Sequence, residues 1–127
     1  MSDIKNNNSI IAQKSYAFAL EIITLFKIIT ENKKEYVLSK QLLRCGTSIG
    51  ANVNESLSAE SKRDFVHKLG ISLKESKETS YWLNLLKDGG YIDEDVFIRI
   101  DNLNTELIKI LTSIILTTKQ KYLINNS

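Results

Sequence analysis

Proline does not occur anywhere in this 127-residue chain. Because proline marks turns and strand edges and breaks helix interiors, its absence favours long uninterrupted helices. Cysteine occurs once, at Cys45, which excludes an intramolecular disulfide. Set among apolar neighbours, Cys45 reads as a buried structural thiol rather than a nucleophile. Histidine also occurs once, at His67, too few for the Glu-x-x-His pairs of carboxylate-bridged metal bundles. The longest greasy stretch, Tyr16 to Ile29, is interrupted by Glu21 and Lys27, and the expectation is that it does not span a bilayer. No charged segment leading into an apolar one opens the sequence, an expectation against secretion and for a cytoplasmic protein.

What is present describes a single folded domain, 1–127. Apolar residues make up 43% of the chain, too many for disorder and enough for one core of ordinary size. The net charge of +2 is unremarkable, but its distribution is uneven. Lys62, Arg63, Lys68, Lys74 and Lys77 face only Asp64 and Glu75 over their stretch, whereas Asp88, Asp93, Glu94, Asp95, Asp101 and Glu106 are opposed by Arg99 alone.

Periodicity predicts four helices. Ile11, Phe18, Ile22, Leu25 and Ile29, with Ser15 in one slot, recur at spacings of three and four and define a helix from about Ser9 to Asn32. A second runs from Leu38 or Ser39 to about Ser58, its seam formed by Leu38, Leu42, Cys45, Ile49, Asn52 and Ser56. Ser61 reads as the cap of a third, which Gly89 and Gly90 stop after Lys87. The fourth starts after Asp93, keeps the beat Val96, Ile100, Leu103, Leu107, Ile110, Ile114, and ends near Tyr122. Residues 1–8 and 123–127 are expected as loose polar tails. Four such helices on short loops specify an all-α, antiparallel up-down four-helix bundle.

Two stretches break the apolar pattern. In the second helix Gly46 and Gly50 lie a turn apart beside Ser48 and Asn52. Each glycine costs about 0.8–1 kcal/mol against alanine in a helix, so the spacing implies close approach of another backbone, in this chain or in a second subunit. In the third helix Glu75, Glu78 and Trp82 share a stripe with Ile71 and Leu85, and the carboxylates there need partners such as Arg44 or Asn52. No nucleophile–base–orienter set and no phosphate-cradling glycine loop appears. The expectation is a protein without enzymatic activity, metal or cofactor.

Thr47-Ser48-Ile49-Gly50-Ala51-Asn52-Val53-Asn54-Glu55, Asp64-Phe65-Val66-His67-Lys68-Leu69 and Glu75 through Leu83 together resemble the four-helix-bundle family named after proteins encoded in intervening sequences of 23S ribosomal RNA genes. The similarity runs from about Tyr16 to Leu86; Ser56 departs from the small apolar residue or glycine usual there. The resemblance implies a closed ring of five identical subunits. It also implies kinship with the accessory variability determinant of diversity-generating retroelements, which works with a reverse transcriptase and binds nucleic acid through a basic surface. In a ring, Arg44, Ser48, Asn52, Glu55, Glu75, Glu78 and Trp82 would form a polar network between subunits; the same residues could equally join the second and third helices of one bundle. The functional expectation is an oligomeric accessory protein that binds RNA, or DNA, through backbone phosphates, using Lys62, Arg63, Lys68, Lys74 and Lys77. The alternative is a scaffold for a protein partner, anchored by tyrosines such as Tyr16, Tyr36, Tyr91 or Tyr122.

Overall fold

A computed structural model of the chain describes residues 2–126, with side chains from 6 to 122. It contains α1 (Ser2–Ile28), continued by a π-helical turn (Ile29–Lys33), then α2 (Leu38–Ser56), α3 (Lys62–Asp88) and α4 (Glu94–Asn126). Each helix packs on the next, and α4 closes against α1, the neighbour order of an up-down four-helix bundle. The ends differ from the expected loose tails. The backbone is helical from Ser2 and through Asn126, because neither end contains a proline or glycine to interrupt the backbone ladder.

Side-chain chemistry sets the helix boundaries. Lys34 adopts a left-handed conformation (φ 54°) and ends the π-helical turn. The Glu35 carboxylate then caps α2: Oε1 accepts from the backbone N–H groups of Val37 (2.9 Å) and Leu38 (2.8 Å), and Oε2 accepts from Ser39 (2.8 Å). The Ser39 hydroxyl donates back to the Glu35 carbonyl at 2.8 Å. These bonds satisfy N–H groups that a helix start leaves without partners. Ser61 caps α3 as expected, its Oγ accepting from the Asp64 N–H at 3.0 Å. At the other end of α3, Gly90 (φ 84°) takes the left-handed position. Tyr91 N–H bonds to the Leu86 carbonyl (2.8 Å) and Gly90 N–H to that of Lys87 (3.0 Å), the paired bonds of a Schellman stop.

Ile11, Ser15, Phe18, Ile22, Leu25 and Ile29 carry α1 into the core as their spacing predicts. Length and hydropathy alone would admit residues 6–33 as a bilayer span, but the regular apolar stripe of this segment is spent on the bundle's interior. In α2 the buried seam is Ser39, Leu42, Cys45, Gly46, Ile49, Val53 and Ser56. Asn52, expected on that seam, is half-buried; its Nδ2 donates to the Ser48 carbonyl at 2.9 Å.

The seams of α3 and α4 are rotated from expectation. In α3 the buried residues are Leu69, Ser72, Ser76, Thr79, Leu83 and Leu86, while the stripe of Ile71, Glu75, Glu78 and Trp82 lies half-buried at the bundle's flank. In α4 Ile100, Leu107 and Ile114 are buried as expected, but Asn104, Leu111 and Thr118 fill the alternate positions in place of Leu103 and Ile110, which are half-buried. Hydrogen bonds make the polar seam tolerable. Ser72 Oγ donates to the Ile49 carbonyl. Ser76 Oγ donates to Asn104 Oδ1, and Asn104 Nδ2 donates to the Ser76 carbonyl at 2.9 Å. Thr79 Oγ1 donates to the Glu75 carbonyl at 2.8 Å and lies 3.3 Å from Cys45 Sγ.

The glycines of α2 answer to α1 of the same chain. A Cβ on Gly46 would lie 2.9 Å from Cγ1 of the fully buried Ile22, and one on Gly50 would lie 3.2 Å from the Ser15 carbonyl oxygen. In the middle of α3, by contrast, a Cβ on Gly70 would meet nothing within 4 Å. The two positions therefore respond oppositely to alanine. Overpacking at Gly46 costs about 1–3 kcal/mol and outweighs a propensity gain of about 1 kcal/mol, whereas Gly70→Ala keeps that gain intact. Thermal melts are expected to show Gly46→Ala lower than the parent by about 4 °C and Gly70→Ala equal or higher.

Glu35 yields a pH-dependent expectation. Its slight burial raises the carboxyl's pKa, but the backbone bonds from Leu38, Ser39 and Val37 outweigh it and hold the group below its ordinary value. A carboxyl depressed in the folded state stabilises above its unfolded pKa, and that contribution is lost as pH falls through the folded value. Glu35→Ala is thus expected to cost about 1 kcal/mol near neutral pH. The difference from the parent should shrink in denaturant titrations below about pH 4; a constant difference would mean that the carboxylate's charge contributes nothing.

Candidate functional site

Where the start of α3 lies beside the end of α4, the surface opens into a groove of about 870 Å³. Val66, Gly70 and Leu73 of α3 and Ile115 of α4 line it, together with Arg63, His67, Lys74 and Lys119. It continues into a second depression of about 470 Å³ that shares Arg63, Val66 and Lys119 and adds Lys62 and Tyr122. Asp64 is the one acidic side chain in either lining. At about 1.5 Å per residue, Arg63 and Lys74 are separated by roughly 16 Å along α3.

Ion pairing sorts the cations of the bundle into two sets. Lys14 pairs with Glu106 (3.0 Å), Arg99 with Glu21 (2.7 Å), Lys68 with Glu55 (3.2 Å) and Lys87 with Asp88 (3.7 Å); Arg44 bridges Glu75 (3.2 Å) and Glu78. Lys62, Arg63, Lys74, Lys77 and Lys119 make no salt bridge among the described residues, and neither do Lys27, Lys33, Lys34, Lys40, Lys109 and Lys121. Four of the first five line the groove or its extension, and Lys77 stands exposed on the same helix. Of the five cations singled out in the sequence, Lys62, Arg63 and Lys74 are therefore brought together. Lys68 is turned to α2 by Glu55.

Lys119 was not read from the sequence, although a signal existed. With the α3–α4 turn at Gly89 and Gly90, Arg63 lies 26 residues before it and Lys119 lies 29 after it, so an antiparallel pair sets them side by side. Gly70 was likewise passed over. A helix-interior glycine that neither packing nor a positive φ requires leaves a strip of bare backbone in the groove floor.

The polar set of α2 and α3 joins the two helices of one chain. Arg44 of α2 meets Glu75 and Glu78 of α3, Lys68 of α3 meets Glu55 of α2, and Ser48 Oγ donates to the Arg44 carbonyl at 2.7 Å. The Arg44 side chain is 49% exposed and that of Glu78 42% exposed, so these bridges are solvated and worth at most about 1 kcal/mol each. Trp82 stacks edge-on against Tyr81, ring centroids 5.1 Å apart.

Reactive chemistry has little to work with. Cys45 is fully buried, and burial first, with the Glu78 and Glu75 charges adding to it against Thr79 and Arg44, pushes its thiol up to about 11. Almost no thiolate, the reactive form, exists at neutral pH. His67 is exposed on the groove rim. Among the described residues no three His, Cys, Asp or Glu side chains gather closely enough to hold a metal ion.

Residues 7–113 match the family model described as 23S rRNA-intervening sequence protein. Among solved structures, a protein of unknown function from the S23 ribosomal protein family of Bacteroides thetaiotaomicron is 47% identical, with a TM-score of 0.85 over 86% of this chain and 97% of that one. No curated protein matches.

Proposed function

The chain belongs to the 23S rRNA-intervening sequence protein family, and from that premise we propose that it is a non-enzymatic accessory protein that assembles with copies of itself and binds RNA through backbone phosphates. One observation carries the nucleic-acid part. Four cations without acidic partners, Lys62, Arg63, Lys74 and Lys119, line one groove and its extension, where Asp64 is the one acidic side chain. A cation left unpaired keeps its full attraction for phosphate and releases condensed counterions when it binds. No asparagine or glutamine lines the groove, and its unpaired cations suit phosphates, so recognition is chiefly of the backbone and tolerant of sequence.

Self-association has separate support. On α1, Tyr16 (68% exposed), Leu20 (51%) and Ile23 (37%) stand outward at spacings of four and three. Tyr16 also lines a depression of about 350 Å³ between α1 and α2, together with small residues such as Ala19, Gly50 and Ala51. An exposed apolar stripe beside a shallow small-residue groove suits helix packing from a second subunit. A ring of five, as the family resemblance implies, would repeat the basic groove and add avidity to a weak single contact. The same stripe also favours the alternative, a scaffold that holds a different protein.

Fluorescence anisotropy with a structured RNA tests the first part. Affinity is expected to fall with salt at a logarithmic slope of about −2 to −4, as a few displaced counterions per groove require. Reversing charge at Lys62, Arg63 and Lys74 should remove binding near physiological salt, and unchanged affinity would refute the assignment. Light scattering tests the second part: at micromolar concentration the mass should be a multiple of the 14.4-kDa chain, five copies for the ring, and a monomer mass would overturn self-association.

A further inference from the structure

Resting on the backbone-binding reading and sharpening it, we infer that the α3–α4 groove takes an unpaired strand of nucleic acid and discriminates against a duplex. The groove is two surfaces in one. Its rim carries Arg63 and Lys74 on α3 and Lys119 across on α4, while its floor is Val66, Gly70, Leu73 and Ile115. A duplex has its bases already stacked and offers a wide cylinder of phosphate and sugar. Such a body rests on the rim and gains nothing from an apolar floor. An unpaired strand presents base and ribose faces that bury favourably against apolar side chains while its phosphates reach cations on either side.

Gly70 supplies the second observation. It lies inside a regular helix, its φ is not positive, and no atom of the described residues occupies the space of its missing Cβ. This glycine weakens α3 without answering to any contact in the bundle, unlike Gly46 and Gly50. Its effect is to lower the groove floor at its centre, between the turn that carries Arg63 and the turn that carries Lys74. A flat ring or ribose can then lie against the α3 backbone between two phosphate-binding cations.

The experiment compares one short mixed-sequence RNA, as a single strand and annealed to its complement, by anisotropy at fixed low salt. The single strand is expected to bind about tenfold more tightly, the gain of burying roughly 55 Å² of base and ribose surface on an aliphatic floor. Gly70→Leu, which fills the floor with a good helix former, should bring strand affinity down to the duplex level and leave duplex affinity and helical circular dichroism unchanged. Gly70→Gln occupies the same space with a polar chain and should behave alike. Equal affinity of the parent protein for strand and duplex, with a normal salt slope, overturns this inference and leaves backbone binding standing. Unaltered strand affinity in folded Gly70→Leu and Gly70→Gln overturns it as well. Absence of binding to either form overturns both readings together.

Discussion

The reciprocal pair between Ser76 and Asn104 is the constraint on which the rest of this bundle is arranged. Both side chains are fully buried, and each satisfies the other across the α3–α4 seam. A slip by a turn would set Ser76 against Ile100 or Leu107 and Asn104 beside Ser72 or Thr79, whose hydroxyls already donate to the Ile49 and Glu75 carbonyls, at a cost of about 1–3 kcal/mol for each unmet group. Buried asparagines at coiled-coil seams act in the same way. That register brings Lys119 beside Arg63, so the groove at the far end of the two helices inherits its geometry from a hydrogen bond in the core. On the other side of α3, Ser72 bonds to the Ile49 carbonyl and tethers α2 by the same device.

The bundle itself was legible in the sequence because helix periodicity survives small errors of phase. The four helices, the Ser61 cap and the Gly89–Gly90 stop all follow from local rules. The phase of α3 did not, and the reason is physical. Two stripes at spacings of three and four run along it, one residue apart: Ile71, Glu75, Glu78, Trp82, Leu85 and Leu69, Ser72, Ser76, Thr79, Leu83, Leu86. The second is polar at its centre, so hydropathy alone cannot mark it as core. It becomes core because hydroxyl groups are small and each finds a partner within the bundle. In α4 the buried arc is wide enough to take in Asn104 and Leu111, residues that a strict seven-residue beat leaves out. The cap on α2 escaped for a related reason, since Glu35 acts from three residues ahead of the helix rather than at its first position.

The candidate site was half legible. Lys62, Arg63 and Lys74 stood out as a basic run, but sequence cannot say that Glu55 holds Lys68 or that Lys119 joins the set. Pairing decides which cations are available, and pairing is a tertiary property. Unpaired Lys62, Arg63 and Lys119 gather where α3 begins and α4 ends, whereas at the opposite end Asp93, Glu94 and Asp95 stand exposed together with Lys33 and Lys34, which make no salt bridge among the described residues either. A polyanion approaching in solution meets a basic groove at one end of the bundle and mixed charge at the other.

The contact of Gly46 and Gly50 with α1 bears on the order in which the chain can assemble. Ile22 and Ser15 meet Gly46 and Gly50 within one helical hairpin, so the tight α1–α2 contact can form once Ser56 has been synthesised. Helix α3 adds its hydroxyl seam to an existing surface, and α4 arrives last, locked by Asn104 and closed onto α1 by the Lys14–Glu106 and Arg99–Glu21 bridges. Only that final closure joins distant parts of the chain. A fold built so largely from neighbouring pairs has short loops to close and belongs among the rapid folders, each helix docking on the one made before it.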